Sequence, residues 1–399
     1  MAAEHPAPAA RRIAVVGASL GGLRAAEQLR AAGWTERLTV FGDEAHPPYN
    51  RPPLSKEVLA GKAAPGSTEL RRRASTEDVE WRLGTAVTGC DLAGRRLTLA
   101  DGSAEPFDGL VAATGIRPRR AALPTPDSAP PRHTVRTRED AAGLRAALVP
   151  GARLVVIGAG FVGMETAATA RTLGCEVTVT APERLPMERA LGALLAEALL
   201  LRHRERGVRF ALGRTPAAFT AGGVLLDDGT ELPADVVVEA IGSLPNTEWL
   251  AGNPGLDLSD GVLVDAALRA PGYPWLVAVG DVARFPNARY GGPARRVEHW
   301  AVPGDSAKHA ARSLVAHLNG TPDGRPPFAP LPSFWSDQFT LRLQSFGAPA
   351  LADTTRLLSG TPSPDLLVAA YRAGTLIAVT SLGGPRAAAA AASLRGELG

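Results

Sequence analysis

Two glycine-spaced stretches and one isolated lysine carry most of the chemistry legible in this chain. In Gly158-Ala-Gly160-Phe161-Val162-Gly163 the glycines follow the G-x-G-x-x-G spacing, after the apolar run LVVI and before a helix-forming segment. Gly158 permits a tight turn, Gly160 lets backbone approach a pyrophosphate, and Gly163 lets helix and strand pack closely. The helix start then offers free N–H groups and a positive dipole end to phosphate. An earlier stretch, Gly17-Ala-Ser19-Leu20-Gly21-Gly22, departs from the pattern by placing serine second. Serine is the next smallest residue and still admits a phosphate, to which its hydroxyl can donate. Asp43 and Glu44 follow Gly22 by about twenty residues, where an acid would hold ribose hydroxyls. Either fits that role, and Glu44 is the stronger choice.

Among 43 basic residues only Lys56, Lys62 and Lys308 are lysines. Lys56 closes the stretch RPPLSK, where Pro52 and Pro53 stiffen the chain. Lysine is a compact point charge on a flexible stem, whereas arginine carries a broad planar fork. Most lysines are simply solvated, and a loop position is the commonest place for one.

The elements that must position these residues repeat. RRIAVVGASLGGLRAAEQLRAAGWTERLTVFGDE and ARLVVIGAGFVGMETAATARTLGCEVTVTAPER each read as strand, glycine turn, Ala/Leu/Arg-rich helix and second strand (Leu38–Phe41; Val177–Thr180). Continuous apolar strands suit a parallel sheet covered on both faces. Two loops predict two dinucleotides, or one and a degenerate copy; a flavin beside a nicotinamide is the economical reading. Further strands are expected at Glu80–Leu83, Arg96–Leu99, the run FDGLVAATG, Val208–Phe210, Gly223–Leu226, Asp235–Ala240 and Trp275–Asp281. A helix is expected around Ala307–Leu318. Past a proline-rich linker, Phe339–Leu343, Leu366–Tyr371 and Leu376–Thr380 are strand candidates, and the alanine-rich tail a helix.

Composition narrows the classes. The 399 residues suit two or three domains, with 45% hydrophobic and 21% charged residues. A net charge of +3 gives no argument for nucleic acid. No apolar run approaches the ~20 residues that span a bilayer. The leader MAAEHPAPAARR lacks a signal core and is expected to be unstructured, so the cytoplasm is the expected location. Cys90 and Cys175 form neither a redox pair nor a metal pattern, and are expected to be buried reduced thiols. No metal site is expected.

Taken in order, VVGASLGGLRAAEQLR, PPYNRPPLSK, AATG, VVIGAGFVGMETA, IGSLPNTEW, VAVGDVARF, RVEHW and FWSDQF resemble the FAD-dependent ferredoxin reductases of the putidaredoxin-reductase and aromatic-dioxygenase-reductase type, from about residue 11 to 345. The resemblance implies an α/β fold with two Rossmann-like, glutathione-reductase-like dinucleotide domains and a small α+β C-terminal domain. It implies an FAD domain over 1–114 and 245–322, an NAD(P)H domain over 115–244, and a C-terminal domain over 323–399. It places Lys56 beneath the isoalloxazine, paired with Glu165, where the ammonium would stabilise charge arriving with a hydride. It puts Arg51 on the FAD pyrophosphate, Thr114 and Gly115 at the crossing into the inserted domain, and Gly280-Asp281 on the ribityl chain. Glu298, His299 and Trp300 would precede a helix aimed at the flavin, with Trp300 at the ring and Trp335 covering it. His299 is the most readily structural of these. Trp300-Ala-Val-Pro-Gly-Asp-Ser306 departs from the W-T-N-A-x-x-Q of many relatives, and Asn50 replaces the usual aspartate.

The implied reaction passes hydride from NAD(P)H to FAD and then single electrons to a [2Fe–2S]-type ferredoxin serving a monooxygenase or dioxygenase. Thr180 stands where an acid would select NADH, and Arg184 lies nearby, so NADH and NADPH both stay open. Arg71–Arg73, Arg202/Arg204/Arg206 or Arg295–Arg296 could dock an acidic ferredoxin. The chain is expected to be a monomer or homodimer. A flavin NADH oxidase or disulfide reductase lacks its cysteine after the first unit, and a flavin-bound redox sensor is the remaining alternative.

Overall fold

The computed structural model describes residues 10–360 and 365–398; the expected leader lies, up to residue 9, outside them. The chain divides into two compact units. One comprises 10–49, 69–116 and 245–330; the other comprises 50–68, 117–244 and the described residues from 331 onward.

The first unit is built on the first glycine repeat. Alternation between β-branched runs and glycine turns gives the strand Arg12–Val16, parallel to Arg37–Phe41 on one side and Gly109–Ala112 on the other. Glu80–Arg82 and Tyr273–Ala278 extend the sheet in parallel, and Arg269–Ala270 closes it as an antiparallel edge. Val15, Val40 and Leu110 are fully buried, as continuous apolar strands require. The Ala- and Leu-rich helix Leu20–Ala31 covers the sheet together with Val302–Leu318. The latter begins before the expected Ala307, because Pro303 occupies its first turn, where a missing N–H costs nothing.

The second unit repeats the scheme. Arg153–Ile157 lies between Glu176–Ala181 and Val236–Glu239, with Arg209–Leu212 and Arg132–His133 at the edges, all parallel. The helix Phe161–Thr172 follows the second glycine turn. The C-terminal residues form a five-stranded antiparallel sheet in the order Ser333–Gln338, Leu341–Gly347, Thr375–Gly383, Leu366–Arg372 and Thr354–Gly360, followed by the helix Pro385–Ser393. The strand expected over Phe339–Leu343 is instead broken by a hairpin. Phe339 has a φ of +56° and turns the chain between Gln338 and Leu341. The apolar run straddles the turn because Phe339 stacks edge-on to His203, with ring centroids 5.1 Å apart. Of the two cysteines, Cys175 is buried as expected and Cys90 only partly so; neither forms a disulfide.

Candidate functional site

In the first unit, Gly17 has a φ of +110°, and a Cβ there would fall 2.2 Å from the Ala113 carbonyl oxygen. Its N–H donates to the Phe41 carbonyl, tying the turn to the end of the second strand. Gly22 packs as closely, its Cβ position lying 1.8 Å from the Gly17 carbonyl oxygen. Ser19 sits at the N-cap of Leu20–Ala31, and its side chain makes no capping bond. No acid stands in that helix's first turn, so its free N–H groups remain available to an anion. Glu44 is half-buried and accepts from the Tyr49 hydroxyl at 2.5 Å, while Asp43 is exposed and accepts from the Glu44 N–H.

The same unit holds two further turns. Thr114 Oγ1 donates to the Asn246 carbonyl at 2.6 Å, and the Asn246 amide donates back to the Thr114 carbonyl at 3.0 Å. Gly115, with a φ of +62°, turns the chain there. Gly280, with a φ of +73°, opens the short helical turn that carries Asp281. Its N–H donates to Ser306 Oγ at 3.0 Å, and that hydroxyl donates to the Val302 carbonyl at 2.6 Å. Ser306 thus pins the Asp281 turn to the start of Val302–Leu318, giving a local purpose to the residue that ends the divergent segment. Trp300 is 41% exposed. Glu298 pairs with Arg296 at 2.6 Å, and Arg296 also holds Asp260 at 2.7 Å. Burial lowers His299 to about 4, leaving it neutral near pH 7, and its carbonyl accepts from the Val302 N–H.

In the second unit, Gly158 has a φ of +105°, and a Cβ would lie 2.2 Å from the Ala240 carbonyl oxygen. At Gly163 the Cβ position lies 2.1 Å from the Gly158 carbonyl oxygen. Gly160 differs: a Cβ there would meet no atom within 4 Å, so nothing in the fold demands glycine. It is the N-cap of an uncapped helix whose first turn carries no acid, and Val162 beside it is exposed. Open space over free N–H groups is what a pyrophosphate needs. Phe161 packs edge-on to Phe334, with centroids 5.0 Å apart.

Lys56 ends the short helical turn Pro52–Ser55. Its Nζ lies 2.6 Å from Glu165 Oε2 and 2.9 Å from the Pro52 carbonyl oxygen. The two side chains are 12% and 8% exposed. Ser55 Oγ donates to the same carboxylate oxygen at 2.6 Å, and Thr169 Oγ1 holds the Ser55 carbonyl at 2.8 Å. Glu165 Oε1 accepts from Ser336 Oγ at 2.7 Å. Arg51 Nη1 donates to the Arg136 carbonyl at 2.7 Å. Trp335 points to the opposite face of its strand from Phe334 and Ser336.

Some expectations change. Thr180 is fully buried and donates to the Ala211 carbonyl, so its hydroxyl is used within the sheet. The register pairs Val16 with Phe41 and Ile157 with Thr180, and each glycine N–H bonds the matching carbonyl. Three residues beyond Phe41 is Glu44; three beyond Thr180 is Glu183, the acid in the corresponding place, with exposed Arg184 next to it. Arg202 is buried and Arg296 is held by two acids, so neither is a solvated docking cation. Arg71, Arg72 and Arg73 are exposed. Ser55, Ser336 and Gln338 enter the site without having been singled out in the sequence. The signal for the last two was the alternation in FWSDQF, which puts serine and glutamine on the face of Phe334.

Two strand–glycine turn–helix units, each on its own parallel sheet, give the chain a doubled, Rossmann-like α/β fold. The chain belongs to the pyridine nucleotide-disulphide oxidoreductase family, whose pattern matches residues 11–307; a Reductase C-terminal pattern matches residues 333–397. It is 38% identical over 361 residues to the ferredoxin–NAD(+) reductase component of the anthranilate 1,2-dioxygenase system of Burkholderia cepacia, covering 88% of this chain and 84% of that one. It is 34% identical over 386 residues to putidaredoxin reductase of Pseudomonas putida, covering 94% and 89%. The solved covalent putidaredoxin reductase–putidaredoxin complex matches with a TM-score of 0.87 and 32% identity, over 96% of this chain and 93% of that one.

Proposed function

We propose that the chain is an FAD-dependent NAD(P)H:ferredoxin reductase, and that its electrons leave to a [2Fe–2S]-type ferredoxin of an oxygenase system. The observation that carries this reading is the buried Lys56–Glu165 ion pair, set five residues past the open Gly160 turn on the Glu165 side. Bound FAD supplies the step from two-electron hydride chemistry to one-electron transfer.

The chain's residues bind, orient and balance charge. Gly17, Ser19, Leu20 and Gly22 would take the FAD pyrophosphate on free N–H groups, and Glu44 the ribose. Thr114, Gly115, Gly280 and Asp281 would line the rest of the cofactor, with Arg51 on phosphate. Gly158, Gly160, Phe161, Val162 and Gly163 would receive the nicotinamide dinucleotide, with Glu183 and Arg184 beside its ribose. Lys56 would offset the negative charge a hydride brings, and Glu165 would neutralise the lysine at rest. Trp300 and Trp335 are assigned to shielding the ring, and Glu298 and His299 to supporting Trp300. NADH is the expected coenzyme, in keeping with the relatives named for NAD(+). The domain boundaries 1–114 with 245–322, 115–244 and 323–399 are kept as proposals. So are a cytoplasmic location and a monomer or homodimer; among the described residues no helix is long and apolar enough to cross a membrane.

Disulfide chemistry is disfavoured by the thiols. Burial pushes Cys90 up to about 12 and also raises Cys175, whereas a redox cysteine needs an accessible thiolate.

The test is anaerobic stopped-flow mixing of the yellow protein with NADH and, in parallel, NADPH, followed by a [2Fe–2S] ferredoxin. Bleaching by NADH and ferredoxin-dependent recovery of colour are expected. The ferredoxin step should weaken as salt is raised, through loss of attraction to exposed arginines such as Arg71–Arg73. A protein bleached by neither coenzyme, or reoxidised by no ferredoxin, overturns the reading.

A further inference from the structure

Glu165 spends only one carboxylate oxygen on Lys56. The other belongs to a buried polar chain reaching into the C-terminal sheet. Ser336 Oγ donates to Glu165 Oε1 at 2.7 Å, Gln338 Nε2 donates to Ser336 Oγ at 3.0 Å, and His203 Nε2 meets Gln338 Oε1 at 2.8 Å. Ser336 and His203 are fully buried and Gln338 is 2% exposed. Such a run of polar groups in a core is costly unless it is satisfied in series.

The direction of the chain follows from atom inventory. An ionised carboxylate only accepts, so the single Ser336 hydroxyl proton goes to Glu165. Gln338 must then present its NH₂ to Ser336, and that orientation also lets Nε2 reach Met187 Sδ at 3.6 Å. Its carbonyl oxygen is left facing His203, which must carry its proton on Nε2. That tautomer agrees with His203 Nδ1 being buried without a partner, and with burial lowering the imidazole to about 4 so that it stays neutral. Every donor in the series therefore points toward Glu165.

We propose that Ser336 and Gln338, backed by His203, are positioning residues that fix the Glu165 carboxylate and, through it, the Lys56 ammonium. The inference rests on the reductase reading above in treating that ammonium as facing the flavin. The alternative is that the chain merely anchors the terminal sheet.

The test uses the flavin-loaded protein with Ser336→Ala and with Gln338→Met, the second nearly preserving side-chain volume. Three measurements are made beside wild type: melting temperature, flavin midpoint potential titrated with a chemical reductant, and the rate at which an amine reagent labels Lys56. Lys62 and Lys308 are exposed and serve as internal references for labelling. Expected are a more negative potential and a roughly tenfold rise in Lys56 labelling relative to the references, the scale of losing one hydrogen bond to a charged group. Ser336→Thr, which keeps the hydroxyl, should restore both. A lower melting temperature with wild-type potential and wild-type labelling in Gln338→Met overturns the proposal and leaves a structural anchor. Neither the potential nor the labelling needs a nicotinamide, so they decide the inference even in a protein that NADH fails to bleach, a failure that would count against the reductase reading alone.

Discussion

Lys56 and Glu165 are 109 residues apart in sequence, yet Nζ and Oε2 stand 2.6 Å apart, with both side chains nearly excluded from water. Arginine serves almost every other cationic position in the chain. Here the ammonium fits a corner made by the Pro52 carbonyl, the Ser55 hydroxyl and the carboxylate. A guanidinium's wider fork would not share that corner.

Lys56→Met should keep FAD bound and slow flavin reduction by about 10²-fold, the usual scale for removing one preorganised charge-stabilising donor. It should also cost about 3 kcal/mol of stability, because the Glu165 charge is left buried without its counter-ion. Stopped-flow absorbance and thermal melting read the two effects separately. A wild-type reduction rate would remove Lys56 from the proposed chemistry.

The two glycines at the second turn should separate fold from ligand. Gly160→Ala has open space for its methyl, so stability should stay within about 0.5 kcal/mol of wild type, as for unstrained surface changes. Apparent nicotinamide affinity should fall roughly tenfold, about 1.4 kcal/mol, as the methyl enters the pyrophosphate's place. Gly158→Ala clashes with the Ala240 carbonyl and should destabilise the second unit itself. Melting curves beside the NADH dependence of bleaching check both. An unchanged affinity in Gly160→Ala would mean that the coenzyme binds elsewhere.

Ser19 caps its helix with no side-chain bond, so Ser19→Ala removes nothing the fold uses. If the hydroxyl donates to the FAD pyrophosphate, the flavin dissociation constant should rise about five- to tenfold, the worth of one hydrogen bond. Fluorescence of released flavin measures it. Equal affinity in the variant would reduce Ser19 to a space-filling substitute for glycine.

Acid should weaken the fold through its enclosed imidazoles. Burial lowers His203 from 6.5 to about 4, and His299 likewise. Below pH 6.5 the unfolded chain protonates these rings while the folded chain resists down to about 4. Their contribution is therefore complete above 6.5 and is lost as pH falls through that interval. For His203 alone the full loss is about 3 kcal/mol. Urea unfolding midpoints should fall between pH 6.5 and 4, and His203→Gln should flatten the decline. The same slope in that variant would contradict the assignment.

What could be read from the sequence was whatever rests on local geometry. Gly158 and Gly17 announce their turns because positive φ and close carbonyl contacts admit little else. The strands Arg96–Leu99 and Gly223–Leu226 end where the apolar pattern ends. The Lys56–Glu165 pair came only from family resemblance, since no spacing rule joins residues so distant. Phe339 misled because an apolar residue in a turn looks like strand until its partner His203 is known. Thr180 was read as the end of its strand, whereas the strand runs one residue further, through the buried Ala181, before the chain surfaces at Pro182; such ends are fixed in sequence only to a residue or two. Ser336, Gln338 and His203 were illegible as a set, because a polar core network is assembled by tertiary packing from segments that give no local sign of one another.

The C-terminal sheet follows the dinucleotide domains in sequence and could pass for an appendage. Yet the serine it contributes occupies an oxygen of the acid that holds the enclosed Lys56. Chimeras that graft another relative's terminal segment onto this body would therefore transplant part of the electrostatic setting with it. Their redox behaviour should follow the donor's residues at 336 and 338, even where every cofactor-loop residue is retained.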